Sequence, residues 1–316
     1  MDNCCRIVLL SLILLIVTPF SAGAESRVYN GICEASAAVL IDETHVAIAS
    51  DDFEAILIFQ RLKPEPIARF EVSDVTDIEA ATRIGDTVFW LASHSLNSKL
   101  EDKKKRKVLF ATKVAADGTL LSTGNIYRAL RADMAVALGR TEGRMMPDLN
   151  IEGLTNTPEG NLLVGLRGPT TMPGDRAILL EIANPLAMVN LQPNEGGPVR
   201  ITRVVTLDLS DGPGTAGRGV RDISRIGNRY LIVAGSEPDG GDPPPKLFWW
   251  GGTSENDVTL GPKADFSGMT PEAMVVWSDH EAEIFSDDGG AMIGDSECQD
   301  KAAPPGAFFR AVDVDF

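Results

Sequence analysis

Residues 151–167 read IEGLTNTPEGNLLVGLR: an acid, a short apolar run, a turn marked by Glu159-Gly160, and a second apolar run. Turn residues between two strand-like segments are the signature of a β-hairpin. The pattern recurs as CEASAAVLIDETHVAIAS (33–50), IEAATRIGDTVFWLAS (78–93), RDISRIGNRYLIVAGS (221–236) and PEAMVVWSDHEAEIFS (271–286). Gly85-Asp86 and Gly227-Asn228 mark two more of the turns. The leading acids are Glu34, Glu79, Glu152, Asp222 and Glu272, spaced by 45, 73, 70 and 50 residues.

Strand-like runs follow each hairpin. They are AILIFQR and PIARFEV, KVLFATKVA and TLLSTGNIY, RAILLEI and VRITRVVTLDL, KLFWWG and NDVTLG, and a last FFRAVDV. Four short strands per repeat of about 45–50 residues is the sequence form of a propeller blade. The chain is therefore expected to be all-β, a five-bladed β-propeller with four-stranded antiparallel blades. Six blades is the alternative if an insert conceals one. The second repeat carries a helical-looking insert at 127–138, and the third a Gly/Pro-rich loop at 184–198. The fifth repeat shows only three strands, so residues 26–30 are expected to supply its outer strand and close the ring, leaving no open edge there.

An apolar run from Ile7 to Val17 follows Arg6 and leads to Ser21-Ala22-Gly23-Ala24. Charged start, apolar stretch and small residues form a secretory signal-peptide pattern, expected to be cleaved after Ala24. Eleven residues are too few to anchor in a bilayer, which needs about 20. Residues 25–316 then form one propeller domain, exported to the periplasm or the extracellular space, with no integral membrane segment. Of the four cysteines, Cys4 and Cys5 leave with the signal, and Cys33 and Cys298 remain near opposite ends. Export favours a disulfide between them, against two separate buried thiols. That bond and the closing strand predict each other.

Acidic residues number 45 against 29 basic, for a net charge of -16. Nucleic-acid binding needs a basic face and is argued against. A hydrophobic fraction of 44% argues against global disorder.

Several strings resemble a bacterial family known as domain of unknown function 3616. They are GICEAS (31–36), DIEAATRIGDTVFWLASHS (77–95), LNIEGLTNTPEGNLLVGLRGP (149–169), GRGVRDIS (217–224), PEAM and FSDDG (271–289), and ECQDKAAPPGAFFRAV (297–312). The resemblance covers nearly all of the chain after the signal. It implies an exported, propeller-like β protein and no established activity. More loosely, the opening of the 151–167 hairpin is similar to phytase-like and esterase-like propeller domains.

Innermost strands line a propeller's channel. If each hairpin opens with that strand, Glu34, Glu79, Glu152, Asp222 and Glu272 form a ring. Crowded carboxylates retain protons or bind a cation. Ca2+, which takes six to eight oxygens, suits such a ring, although no EF-hand loop is present. Asp77, Asn150, Asp51-Asp52 and Asp287-Asp288 offer further oxygens. The competing reading is that the acids cap blade tops through backbone N–H groups. Three histidines, at 45, 94 and 280, argue against a multi-histidine zinc site. His94 is a candidate general base beside a ring acid, or a hydrogen-bonded turn residue. A triad with Ser93 or Ser95 lacks the support of a G-x-S-x-G elbow. Arg167 and Arg221 either neutralise the ring or hold an anionic small molecule beside a bound cation. Two functions follow: a ligand- or cation-binding scaffold, or a metal-dependent hydrolase at the same mouth. The basic run KLEDKKKRK (99–107) reads as a solvated hairpin loop. GPGTAGRG (212–219) reads as an inter-blade crossover, and Trp249-Trp250 as part of a blade.

Overall fold

The computed structural model describes residues 26–145, 147–171, 174–190, 200–237, 241–300 and 304–316. The expected signal segment lies outside the described residues. Strand β1 (Arg27–Asn30) comes first in the chain but last in the ring. Blade one is β2 (Ala37–Leu40), β3 (His45–Ala49), β4 (Ala55–Gln60) and β5 (Pro66–Glu71). Blade two is β6 (Ile78–Ile84), β7 (Thr87–Ala92), β8 (Leu109–Val114) and β9 (Leu120–Tyr127). Blade three is β10 (Asn150–Asn156), β11 (Leu162–Gly168), β12 (Ala177–Ala183) and β13 (Arg200–Leu207). Blade four is β14 (Gly219–Ile226), β15 (Arg229–Gly235), β16 (Lys246–Trp250) and β17 (Val258–Leu260). Blade five is β18 (Thr270–Ser278), β19 (Glu281–Asp287), a C-terminal strand Phe308–Asp315, and β1 as its outer strand. All pairings within the blades are antiparallel.

The innermost strands β2, β6, β10, β14 and β18 neighbour one another in a closed cycle, so the ring has five blades. No sixth four-stranded sheet is present among the described residues. Each of the five seams between blades has its own apolar cluster. Fully burying one Leu, Ile or Phe contributes about 1.5–3 kcal/mol, so every seam is a substantial joint. The closing seam is aromatic: Tyr29 of β1 stacks on Phe309 and meets Phe59 of blade one edge-on. Tyr29 also donates to Glu283 Oε1 at 2.7 Å. Cys33 and Cys298 form the expected disulfide, 265 residues apart in sequence.

The inserts sit on this frame. The first contains a helix at Leu130–Ala137 that places Leu130 and Met134 in the seam between blades two and three. The segment read as a Gly/Pro-rich loop begins with a short helix at Pro185–Asn190; residues 191–199 lie outside the described residues. Residues 212–218 cross from blade three to blade four as expected. Trp250 is buried and stacks on Tyr230, while Trp249 carries the Arg229 guanidinium 3.7 Å from its ring centre. Among the described residues, no helix is long and apolar enough to cross a membrane.

Candidate functional site

At one end of the channel, a cavity of about 580 Å3 is lined almost wholly by polar side chains. Its acids are Asp51, Asp52, Asp77, Glu79, Glu152, Glu272 and Asp287, joined by Arg106 and Arg167. Local register explains three of them. In blades two, three and five the inner ladder slips by one residue at Glu79, Glu152 and Glu272. A bulge residue drops out of the pairing and its side chain is re-aimed, here toward the mouth.

The expected five-fold equivalence is broken in two places. In blade four the slip falls on Arg221, one residue before Asp222. In blade one Glu34 precedes β2 altogether and pairs through its backbone with Asp287 of blade five. Asp222 does not line the cavity; its carboxylate accepts from the backbone N–H groups of Ile223 and Met274, both at 2.7 Å. Burial pushes its pKa up. It tethers blade four to blade five, which is the backbone-capping role.

Arg167 and Arg221 neutralise neighbouring acids. Arg167 Nη1 lies 2.6 Å from Glu152 Oε1, with both side chains buried, and Asn150 donates to the same oxygen at 2.9 Å. Arg221 Nη1 lies 2.9 Å from Glu272 Oε1. Glycine at 235 is required by this pair. A Cβ there would stand 2.6 Å from Arg221 Nε, so any side chain would push the guanidinium off its path.

Blades one and two differ. Glu34, Asp51 and Asp52 offer oxygens within 4.8 Å of one another, and so do Asp51, Asp77 and Glu79. Arg106 is the guanidinium that reaches this group, with Nη2 2.5 Å from Asp77 Oδ2 and donating to Ser95 Oγ at 2.7 Å. Burial, reinforced by Asp51 and Asp287, drives the Glu34 carboxyl up to about 12. Burial lifts Asp77 to about 7 despite Arg106 and the Ser93 hydroxyl, and partial desolvation together with the charge of Asp51 lifts the more exposed Asp52 to about 6. Glu79 is pushed well above the usual carboxylate range by burial and by Asp77, Asp51, Glu152 and Glu272.

His94 is absent from the mouth. It is fully buried, its Nδ1 lies 2.8 Å from the Ala92 carbonyl, and burial lowers it to about 4. Ser93 and Ser95 bond to each other at 2.9 Å, with Ser93 donating to Asp77 and Ser95 receiving Arg106. The three residues do not assemble as a triad. Asp288 is taken by Arg310, which also donates its backbone N–H to Oδ2 at 2.8 Å.

Four lining residues were not among the expected site residues: Asn97, Ser98, Arg106 and Gln299. Arg106 belongs to the basic run read as solvated, and its composition carries no sign that one cation turns inward. Gln299 had a usable signal: it follows Cys298, whose bond to Cys33 places it beside Glu34.

No protein-family model and no curated protein matches the sequence. Solved structures are similar in fold. Glutaminyl cyclase from Myxococcus xanthus has a TM-score of 0.50 at 9% identity, over 92% of this chain and 95% of its own. Hydrazine synthase from Kuenenia stuttgartiensis has a TM-score of 0.41 at 10% identity, over 90% of this chain and 88% of its own. At 9% identity the likeness to the cyclase shows the fold alone.

Proposed function

We propose that this chain is an exported propeller, a member of the family it resembles, that binds a divalent cation at its acidic mouth. The observation that carries the reading is Glu79. This residue is only 9% exposed and lines the cavity. Among the described residues no hydrogen-bond donor or cation meets its carboxylate, and the largest charges acting on it are those of four other carboxylates. A buried charge is costly unless it is paired or holds a metal. The donors are hard carboxylate oxygens without imidazole or thiolate, which suits Ca2+ and, in a smaller and stricter sphere, Mg2+. The disulfide supports export, where such bonds persist.

The test is thermal melting of EDTA-treated protein during a Ca2+ titration into the millimolar range. An ion at a hundredfold excess over its Kd stabilises by about 2.7 kcal/mol, seen as a rise of several degrees in Tm. Glu79→Gln is expected to diminish that rise and to melt no lower than wild type without the ion. An unmoved Tm with Ca2+, Mg2+ and Mn2+ alike would refute cation binding.

A further inference from the structure

Resting on that reading, we propose that the mouth holds two divalent cations bridged by the Asp51 carboxylate. Ligand oxygens of one ion, bonded at about 2.3–2.6 Å, lie at most about 5 Å apart across its sphere. The acids of blades one and two gather into two such sets, Asp51–Asp77–Glu79 and Glu34–Asp51–Asp52, and only Asp51 belongs to both. Each set is the size of one sphere.

Three further observations point the same way. In the first set, Glu79 is nine-tenths buried and has no partner of opposite charge. At the shared residue, Asp51 Oδ1 is buried and meets no hydrogen-bond donor among the described residues. Beside the second set, Gly289 preserves an oxygen-lined space. A Cβ at that position would lie 2.6 Å from Glu34 Oε2, 3.0 Å from Gln299 Oε1 and 3.1 Å from Asp287 Oδ1. Three oxygens from three separate segments thus face one spot that a methyl group would fill. Charge agrees in sign: among the described residues the five acids of the two sets have one ion pair, Asp77 with Arg106, and Asp287 adds a further carboxylate beside the second set, so the excess is negative.

Mn2+ serves as the probe, because its number can be counted and its spin reports a neighbour. EDTA-treated protein is dialysed against Mn2+ and examined by frozen-solution electron paramagnetic resonance. Two ions per chain are expected, with a spectrum broadened by spin coupling. Glu79→Gln and Asp52→Asn should each bind one ion and give the six-line spectrum of isolated Mn2+; Asp51→Asn should weaken both. Asp52 is exposed, so its amide variant tests the second site without burdening the fold. One ion in wild type, or two in Asp52→Asn, would overturn the bridged pair while leaving the cation reading intact. No bound ion at all would overturn both.

Discussion

Blades three to five and blades one and two line the same mouth, yet they treat their acids in opposite ways. On one side Glu152 meets Arg167, Glu272 meets Arg221, and Asp222 is held by backbone N–H groups. On the other, Glu34, Asp51, Asp52, Asp77 and Glu79 crowd together, and among the described residues their one ion pair is Asp77 with Arg106. A repeated acid is therefore not a repeated role. The hairpin puts a carboxylate at each blade top, and its neighbours decide whether it ties blades together or stays available to a ligand. The paired half should respond to mutation through stability alone, and the crowded half through cation binding.

The largest effect is expected where one bond serves both halves. Cys33 precedes Glu34, Cys298 precedes Gln299, and together they join the crowded half to blade five. Replacing both cysteines by serine releases a loop of 265 residues and should cost about 5.6 kcal/mol in the chain-entropy model. Urea unfolding of the double variant measures this. Cation affinity should fall as well, since Glu34 and Gln299 lose their common anchor. Unchanged Ca2+ affinity in a destabilised variant would detach the disulfide from the site.

Next come the paired acids. Arg221→Ala takes the guanidinium from buried Glu272, and breaking a buried pair from one side costs about 3–5 kcal/mol. The loss should be the same in EDTA and in Ca2+. A variant that Ca2+ rescues fully would show that Glu272 also serves the ion. Gly235→Ala probes the pair more gently. The added methyl meets Arg221 Nε at 2.6 Å, and the overpacking should cost about 1–3 kcal/mol, read from the urea midpoint.

Fold and site were legible to different depths, for physical reasons. Hairpin periodicity repeats in every blade, so five units, the closing strand and the disulfide all followed from local patterns. The acids at 79, 152 and 272 were found for the same reason. Asp222 takes the capping reading rather than lining the cavity, and the string could not choose between the two because a bulge is a register event. Arg221-Asp222 and Ile151-Glu152 look alike as strings, and only cross-strand pairing shows that Arg221 takes the slipped position. Glu34 does not line the cavity; it comes up to Asp51 and Asp52, which do, from outside its strand, and no spacing rule encodes that. Asp51, Asp52 and Asp77 appeared only as spare oxygens, because their convergence depends on how one blade's loop meets the next blade's entry. His94 follows Ser93, yet its backbone has a φ of 57°, a left-handed conformation that periodicity does not reveal.

The smallest effect is a pH slope, and it separates the halves without mutation. In ion-free protein Asp52 titrates near 6 and Asp77 near 7, both above the ordinary 3.8. Between about pH 4 and 7 the folded state therefore binds more protons than the unfolded chain. Stability from these groups is present in full below the ordinary carboxylate value and is lost as pH rises through the folded values. A divalent ion binds the deprotonated acids and replaces the lost protons, so saturating Ca2+ should flatten this decline. Melting curves in EDTA and in Ca2+ should coincide near pH 4 and separate by several degrees at pH 7. The arginine-paired acids are present in both conditions and contribute nothing to the difference. Asp52→Asn should narrow the separation, whereas Arg221→Ala should lower both curves in parallel. Curves that run parallel in wild type from pH 4 to 7 would mean that the crowded half is as fully neutralised by the protein as the paired half.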